Sequence, residues 1–208
     1  MSEEREPVAR RLGLTRADGV AYYKRGLKAY EDGDLENAIV DLSEAIYYDR
    51  GYAEYYSTRG LFYVENEQVD DARLDLDYAL KLNKRQWLAH YALAVLDFRH
   101  GDYDSALKHL SEASTIKPDR AEVWFYRAVT EHLLGDDTQA VTDMEKAERL
   151  FPPNDKRRKE ASAWIKEFKK TVLAPAPRSS APPLNSANPA NRAQLPAPGS
   201  SDGPRRLP

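Results

Sequence analysis

The sequence predicts an all-α protein built from tandem pairs of helices, and three observations lead to this prediction. Small residues return every 34 positions in three separate registers. Between them, apolar residues follow the three-and-four spacing of amphipathic helices. Breaks rich in glycine, aspartate and proline fall in the middle and at the end of each unit. The three registers are Ala38, Ala72, Ala106 and Ala140; Ala45, Ala79, Ala113 and Ala147; and Gly26, Gly60, Ala94 and Ala128.

The constant period divides the centre of the chain into four repeats with no insertion or deletion between them. After the fourth repeat, Ala161, Trp164, Ile165 and Phe168 lie on one face of a predicted helix that is otherwise rich in lysine and arginine. The last unit of a stacked array exposes an apolar face that must be covered, so we expect this helix, over about 155–170, to be a cap. The predicted repeats are 19–52, 53–86, 87–120 and 121–154.

The two ends differ in composition from the predicted helical domain, which spans 15–172. Residues 1–14 are charged and show no firm helical stripe, so they are expected to form a mobile leader. Residues 174–208 consist mainly of Pro, Ala, Ser, Asn and Arg and contain no aromatic residue. Such a segment cannot bury enough apolar area to offset the entropy of ordering, and it is expected to be a disordered tail.

The turn inside each repeat is expected where a glycine precedes an aspartate, at Gly33, Gly101 and Gly135. Glycine accepts the left-handed backbone conformation that ends many helices. The second repeat has Asn66 and Glu67 at this point. Asparagine tolerates the left-handed conformation better than most residues, so the turn is expected to survive there with a small penalty.

Composition excludes several classes of function. The absence of cysteine excludes disulfide frameworks and thiolate chemistry. No stretch approaches the roughly 20 apolar residues of a membrane span, and the charged start does not match a signal peptide, so a cytoplasmic location without membrane contact is expected.

The four repeats contain 16 basic and 26 acidic residues, whereas residues 155–208 contain 11 basic and 4 acidic residues. This division favours basic or amphipathic partners for the repeats and disfavours nucleic acid there.

An arginine and an aspartate occur together in three of the four repeats, at places seven and twenty-three counted from the first residue of each repeat. In the third repeat both are absent, and Leu93 and His109 stand there instead. This joint occurrence predicts an ion pair, at least partly shielded from water, between the two helices of a repeat. The predicted pairs are Arg25 with Asp41, Arg59 with Asp75, and Arg127 with Asp143.

The stretch from Trp124 to Pro152, with Ala128, Gly135 and Ala140 at fixed offsets, resembles the tetratricopeptide repeat (TPR) family. The resemblance rests on the 34-residue period, the small residue early in each unit, the later Ala-x-x-x-bulky-x-x-Ala segment and the proline near the end. It covers all four repeats. It implies a right-handed α-solenoid that serves as a scaffold or adaptor for other proteins.

In TPR proteins the first helices of successive repeats line a concave groove, and the resemblance implies that groove here. Carried over place by place, the family pattern implies an aliphatic stripe with aromatic rings beside it and carboxylates at its border. The expected ligand is an amphipathic or basic peptide segment of a partner; the alternative is that many of the rings only pack neighbouring first helices together. The implied groove residues are Tyr23, Leu27, Tyr30, Leu61, Tyr91, Val95, Phe98, Phe125, Val129 and His132. The implied acidic rim is Glu31, Glu54, Glu65 and Glu122.

One known TPR specificity does not match this sequence. The TPR clamps that hold the C-terminal carboxylates of heat-shock chaperones use lysine, arginine and asparagine at five defined places. Those places hold Tyr23, Leu27, Thr58, Leu88 and Ala92 here, and a frame shifted by one repeat fits no better. A carboxylate-clamp co-chaperone is therefore not expected.

The sequence shows no motif for catalysis, for a metal or for a cofactor. The four histidines have no metal-ligand spacing, and there is neither a glycine-rich phosphate loop nor a nucleophile elbow. The protein is therefore expected to be neither an enzyme nor cofactor-dependent.

Other functions stay open beside the scaffold. One alternative is a structural subunit that contacts a larger assembly through the convex face of the array, opposite the groove, or through its ends. Nucleic-acid association through the basic region after Lys156 is a lesser alternative, because the tail lacks aromatic residues for base stacking. Self-association through the less protected N-terminal end and occupation of the acidic groove by the basic tail also stay open.

Overall fold

A computed structural model describes residues 16–173, and the all-α prediction is confirmed for this range. Nine helices follow one another there, and no strand occurs among the same residues. The predicted leader, 1–14, and the predicted tail, 174–208, lie outside the described residues. The helices are α1 (Arg16–Glu31), α2 (Leu35–Tyr48), α3 (Ala53–Glu65), α4 (Val69–Leu82), α5 (Trp87–Arg99), α6 (Tyr103–Ile116), α7 (Ala121–Leu134), α8 (Asp137–Leu150) and α9 (Lys156–Leu173).

The described chain divides into two compact units, residues 16–89 and 90–173. In the first unit α1 packs against α2, and α3 packs against α4. In the second unit α7 packs against α8, and α8 packs against α9. Each 34-residue window holds two helices, with α1 beginning at Arg16, slightly ahead of its window. The element expected as a cap is α9, which extends to Leu173.

The turn between the two helices of a repeat depends on one residue in the left-handed conformation. Gly33, Gly101 and Gly135 have φ angles of 83°, 80° and 101°. In the second repeat Glu67 takes this conformation with φ at 58°, whereas Asn66 has φ at −81°. The turn is therefore retained, but Glu67 rather than Asn66 supplies the left-handed residue. The geometry of the turn requires the left-handed residue at place fifteen, which holds glycine in the other repeats and glutamate here.

The aspartate after each of these glycines caps the second helix of its repeat. The side chains of Asp34, Asp102 and Asp136 each accept a hydrogen bond from the backbone N–H three residues later, at 3.0 to 3.1 Å. Such a cap satisfies a backbone donor that has no partner within the helix and contributes about 1 kcal/mol. The N-cap of α4 is Gln68, which makes no such bond. The second repeat therefore lacks both the glycine and the cap of the others.

Close contact between paired helices explains the registers of small residues. All eight alanines of the first two registers are fully buried. At Gly60, an added methyl group would lie 2.7 Å from Leu76 Cδ2 and 3.3 Å from the carbonyl oxygen of Ala72. These distances are shorter than ordinary van der Waals contact, so a larger residue at Gly60 would force α3 and α4 apart or displace Leu76.

The structure contains each of the three Arg–Asp pairs, and each pair joins the two helices of its repeat. The contact in the second repeat is bidentate: Arg59 Nε donates to Asp75 Oδ2 at 2.7 Å, and Nη2 donates to Oδ1 at 2.9 Å. Bidentate contacts of this kind fix the orientation of both partners as well as adding electrostatic attraction. The three pairs are Arg25 with Asp41, Arg59 with Asp75, and Arg127 with Asp143.

The pairs differ in their exposure to water. The Arg25 side chain is 63% exposed, whereas those of Arg59 and Arg127 are 18% and 16% exposed. Arg59 and Arg127 each donate a further hydrogen bond to a serine of the preceding repeat, Ser43 at 2.9 Å and Ser114 at 3.0 Å. No helix pair precedes α1 in the described part of the chain. In the first repeat the pair is shielded only on the side of Asp41, whose side chain is 7% exposed.

Glu67→Gly should raise the free energy of unfolding by about 1 kcal/mol, because an L-residue in the left-handed conformation is strained and glycine is not. Urea denaturation of the full chain measures the difference. Gly101→Ala, at the same place of the third repeat, is the matched control and should lower the free energy of unfolding. Equal stability of Glu67→Gly and the wild type would contradict the strain at this turn.

Arg59→Met should lower the free energy of unfolding by about 3 to 5 kcal/mol, because it leaves Asp75 buried and charged without its partner. Arg25→Met should cost clearly less, because water already screens that arginine. Urea denaturation of both variants, with Leu93→Met at the same place of the third repeat as the control, measures the ranking. An equal loss for both arginines would refute the link between exposure and contribution.

Candidate functional site

In the first unit, aromatic residues implied for the groove pack between neighbouring first helices. The Tyr23 ring on α1 lies 5.1 Å from the Tyr55 ring on α3, measured between ring centroids. Further along the same two helices, Tyr30 stacks on Phe62 at 4.5 Å. Aromatic pairs at these distances contribute beyond the area that they bury. The rings of Tyr23 and Tyr30 therefore hold α1 against α3.

Two carboxylates implied for the acidic rim accept hydrogen bonds from these tyrosines. Tyr23 Oη donates to Glu54 Oε1 at 3.0 Å, and Tyr30 Oη donates to Glu65 Oε1 at 2.6 Å. Burial, together with the adjacent carboxylate, raises the pKa of both hydroxyl groups, so both remain donors. Glu31 is exposed. The structure thus places Glu54 and Glu65 in contacts between α1 and α3.

The aliphatic stripe implied by the family pattern is largely buried. Leu61, Val95 and Val129 have at most 1% of their surface exposed, and Leu27 is half-buried. The expectation of an exposed stripe is therefore wrong for the first three residues. Nearly all residues of their helices are buried in this region, because each first helix is packed on several sides. Leu61→Glu would bury a charge in the core rather than alter a surface.

In the second unit the implied aromatic residues gather around Tyr126. The Tyr126 ring makes edge contacts with Tyr91 at 5.8 Å, Phe98 at 5.7 Å and Phe125 at 6.2 Å. Phe125 also contacts Phe151, which follows α8, at 6.3 Å. The family pattern did not lead us to assign Tyr126 to the groove. Its central position becomes visible only when α5, α7 and the segment after α8 are brought together.

His132, also implied for the groove, lies against the helix expected as a cap. Its ring stacks on Phe168 of α9 at 4.6 Å, and its Nδ1 atom contacts the Asp137 carboxylate. Trp164 of α9 lies 6.3 Å from the same ring. His132 therefore helps to attach α9 to the last repeat.

A narrow crevice lies beside the aromatic cluster, between α7 and the start of α9. Glu122 lines it and is buried, and Glu122 Oε1 accepts no hydrogen bond from the described residues. Arg120 Nε lies 3.8 Å from that oxygen, close enough for charge attraction but too far for a hydrogen bond. The crevice walls are Tyr91, Glu122, Phe125, Tyr126, Phe151, Arg157 and Glu160.

Arg157 contributes a positive charge to the crevice wall, but that charge has a local partner. Arg157 Nη2 donates to Asp155 Oδ2 at 2.6 Å, and the guanidinium lies 4.8 Å from the centre of the Phe151 ring. The hydrogen bond from Arg157 lowers the pKa of Asp155. Glu160 is exposed at the mouth of the crevice, whereas Glu122 and the aromatic walls are buried and the space between them, about 10 Å³, would hold about one water molecule. Aromatic faces with nearby carboxylates suit a cationic side chain.

Glu160 is a residue that reasoning from the sequence missed, because α9 was expected only to cover the last repeat. The 34-residue period could have identified it, because Glu160 lies 34 residues after Tyr126. The helix α9 therefore continues the first-helix pattern for one more step and adds a carboxylate to the site.

A second group of charges lies near the C-terminal end of α7. Arg127 Nε lies 3.5 Å from Glu131 Oε1 and also donates to Asp143. Glu131 Oε2 is buried and accepts no hydrogen bond from the described residues. Burial raises the pKa of Glu131 to about 8; the charge of Asp143 adds to this rise, and Arg127 opposes it. Glu131 is therefore mostly protonated at neutral pH.

The structure describes no metal centre and no membrane-spanning helix. Over residues 16–173, no three histidine, aspartate or glutamate side chains are grouped so that they could hold a metal ion. In the same range no helix combines the length and the apolar character needed to cross a bilayer.

The free energy of unfolding should fall as the pH rises from about 4.5 to about 8, in part because of Glu131. The folded state keeps this proton up to a pKa of about 8, whereas the unfolded chain releases it near the ordinary value of 4.5. Over that window the folded state binds more protons, so rising pH favours unfolding by up to about 1.4 kcal/mol per pH unit for this group.

Glu131→Gln mimics the protonated side chain and should flatten this dependence. Urea denaturation at three pH values across the window, for the wild type and the variant, isolates the contribution as a difference between two slopes. Asp136→Asn at the start of α8 controls for the loss of a nearby negative charge. Parallel slopes for Glu131→Gln and the wild type would show that Glu131 ionises normally.

Comparison with known proteins identifies the architecture. The family model described as "Tetratricopeptide repeat" matches residues 58–120 and 96–155. Mouse serine/threonine-protein phosphatase 5 is 31% identical over 108 residues, which make up 50% of this chain and 22% of the phosphatase. The chain spans only 8% to 34% of the lengths of the curated relatives that it matches.

Solved structures of TPR proteins have the same fold as this chain. PilF of Pseudomonas aeruginosa superimposes with a TM-score of 0.66 at 20% identity, over 76% of this chain and 71% of that protein. A thermophilic TPR protein of Thermus thermophilus, TTC0263, gives a TM-score of 0.61 at 17% identity, over 74% and 82% of the two chains. Helix pairs of this kind form scaffolds for protein–protein interaction, and proteins built from them are generally not enzymes. The chain belongs to the tetratricopeptide repeat family.

Proposed function

We propose that this protein is a non-catalytic scaffold or adaptor that holds a basic or amphipathic segment of a protein partner on the first-helix side of its repeats. The observation that carries the proposal is the crevice of the second unit, where Glu122 and Glu160 lie beside aromatic rings. A lysine or arginine of the partner would pair with Glu160 at the exposed mouth of the crevice, and its contact with Glu122 and the rings would require the crevice to widen. The surplus of acidic residues in the repeats favours a partner of this charge.

Glu122 is the strongest individual argument for a cationic ligand. A buried carboxylate oxygen without a hydrogen-bond donor raises the free energy of the folded state. Arg120 offers charge at 3.8 Å but no hydrogen bond. A donor from a partner would satisfy Glu122 Oε1, and that gain would appear as binding affinity.

This proposal relies more on charged contacts, and less on an apolar stripe, than the sequence implied. Leu61, Val95 and Val129 are buried, so they offer little surface to the apolar side of a ligand. In the first unit, the half-buried Leu27 and Tyr30 are the implied groove residues with accessible surface. The absence of cysteine fits a reducing, cytoplasmic setting for such an interaction.

Nucleic-acid association through α9 has weaker support. Lys169 Nζ lies 2.9 Å from Glu145, and Lys170 Nζ lies 2.9 Å from Glu167. Arg157 is paired with Asp155. Cations that are already paired gain less from binding phosphate. The lysine-rich composition of this helix therefore overstates its attraction for nucleic acid.

Two short fluorescent peptides test the crevice: one of leucines around a central arginine, and one in which neutral citrulline replaces that arginine. Fluorescence anisotropy with the full chain should show about tenfold tighter binding of the arginine peptide, equivalent to about 1.4 kcal/mol. The double change Glu122→Gln and Glu160→Gln should remove the preference, because it deletes both charges at nearly constant shape.

Glu112→Gln is the matched control, since Glu112 is an exposed carboxylate on the second helix α6. It should leave the preference for arginine intact. Circular dichroism should show the same helical content in all variants. If the wild type binds the arginine and citrulline peptides equally, the crevice is not a site for cations and the proposal fails.

A further inference from the structure

The second helices of the first unit leave a band of large apolar side chains in water. Val40 and Tyr47 on α2 are 55% and 44% exposed, and Leu74, Tyr78 and Leu82 on α4 are 71%, 40% and 39% exposed. These five residues, which we name the second-helix band, are the majority of the nine exposed large apolar residues within 16–173. Clustered apolar exposure of this kind marks interaction sites in folded proteins.

Within α4 the exposed residues form one line along the helix. Leu74, Tyr78 and Leu82 are separated by four residues each, so they follow one another on a single face. Leu76, which points away from Leu74 and Tyr78, is fully buried against the partner helix. Tyr78 also packs within its repeat, with its ring 4.6 Å from that of Tyr56 on α3, and Leu74 is the most exposed residue of the line at 71%.

Arg59 of α3 links α2 to α4. Arg59 donates to Ser43 of α2 at 2.9 Å and to Asp75 of α4 at 2.7 Å, so one guanidinium group spans the distance between these helices. Val40 is about one turn from Ser43, and Leu74 is adjacent to Asp75. Both Val40 and Leu74 occupy place twenty-two, so they point to the same side of successive repeats. The band is therefore one surface.

The band is not required by the repeat architecture. At place twenty-two, where the first unit has Val40 and Leu74, the second unit has Lys108 and Thr142. The helices α6 and α8 form with polar residues at this place. Packing within a repeat therefore does not require an apolar side chain there. The first unit has an apolar surface that its fold does not explain.

Carboxylates border the band. The helix α2 contains no basic residue, and acidic residues outnumber the basic Arg73 and Lys81 on α4. Most of the bordering carboxylates are exposed, so their charge is available to a partner. Within about one turn of Val40 and Leu74, Asp41 and Asp75 are buried in the ion pairs, and the remaining acidic residues are Glu36, Glu44, Asp70, Asp71 and Asp77.

We propose that the second-helix band is a docking surface for a partner protein that presents an amphipathic helix with a basic polar face. The apolar side of that helix covers the line of Leu74, Tyr78 and Leu82, and its lysines or arginines meet the bordering carboxylates. This surface lies on the second helices of the first unit, and the crevice lies in the second unit. Each surface would bind a segment of its own, which is the behaviour of an adaptor.

The probe is a fluorescent amphipathic peptide of leucine and lysine, with a leucine and glutamate peptide of the same pattern for comparison. Anisotropy is measured with the full chain carrying Glu122→Gln and Glu160→Gln, so that the crevice does not contribute. The leucine and lysine peptide should bind and the glutamate peptide should not. Leu74→Glu should weaken binding about tenfold or more, and Val40→Glu, on the neighbouring helix, should weaken it as well.

Whether Leu74→Glu weakens or tightens peptide binding distinguishes apolar docking from simple charge attraction. Leu74→Glu adds a negative charge, so purely electrostatic binding of a basic peptide would become tighter. Lys108→Glu, at the same place of the next repeat, is the matched control and should leave affinity unchanged or slightly increase it. Circular dichroism should show unchanged helical content, because Leu74 and Val40 are exposed.

Three results would overturn the proposal. The first is unchanged or tighter binding of the basic peptide by Leu74→Glu and Val40→Glu. The second is self-association of the wild type in sedimentation equilibrium that Leu74→Glu abolishes, which would make a second copy of this chain the occupant. The third is tighter peptide binding after Arg205→Ala and Arg206→Ala, which would make the chain's own basic C-terminal segment the occupant.

Discussion

The close approach of two helices within each repeat is the constraint on which the rest of this structure depends. Fully buried alanines stand at the contact in every repeat, and at Gly60 even a methyl group would lie 2.7 Å from Leu76. Helices this close leave little space beside Gly60, and Leu76 of the partner helix fills it. Arg59 donates to Asp75 and ties the same two helices together. The small residues and the ion pair therefore act on the same helix pair.

The same packing decides which surfaces remain for a partner. First helices are covered on several sides, so Leu61, Val95 and Val129 become core residues and the rings of Tyr23 and Tyr30 become contacts between helices. Second helices are packed mainly on one face. Accessible chemistry is therefore found in two places: Glu160 at the mouth of the crevice beside α9, and the apolar side chains that α2 and α4 leave in water.

The second repeat shows how such an array tolerates local irregularity. It has Glu67 in place of the turn glycine and Gln68 in place of the capping aspartate, and each of these departures costs stability. The same repeat contains the bidentate Arg59–Asp75 pair, held further by Ser43 of the preceding repeat. The fourth repeat has equivalent contacts of Arg127 with Asp143 and Ser114, so the irregular turn leaves this packing of the second repeat unchanged.

The sequence by itself determined the helix pairs, their stride, the small residues at the contacts and the partners of the three ion pairs. These features repeat at fixed spacing, and each depends on the distance along the chain between two residues of one repeat. Tertiary structure alone decided that Leu61 is buried, that Arg25 is exposed and that Glu122 is buried beside the aromatic rings. Exposure and shared sites depend on what neighbouring helices cover, and that is set by contacts between residues of different repeats, which a period along one chain does not encode.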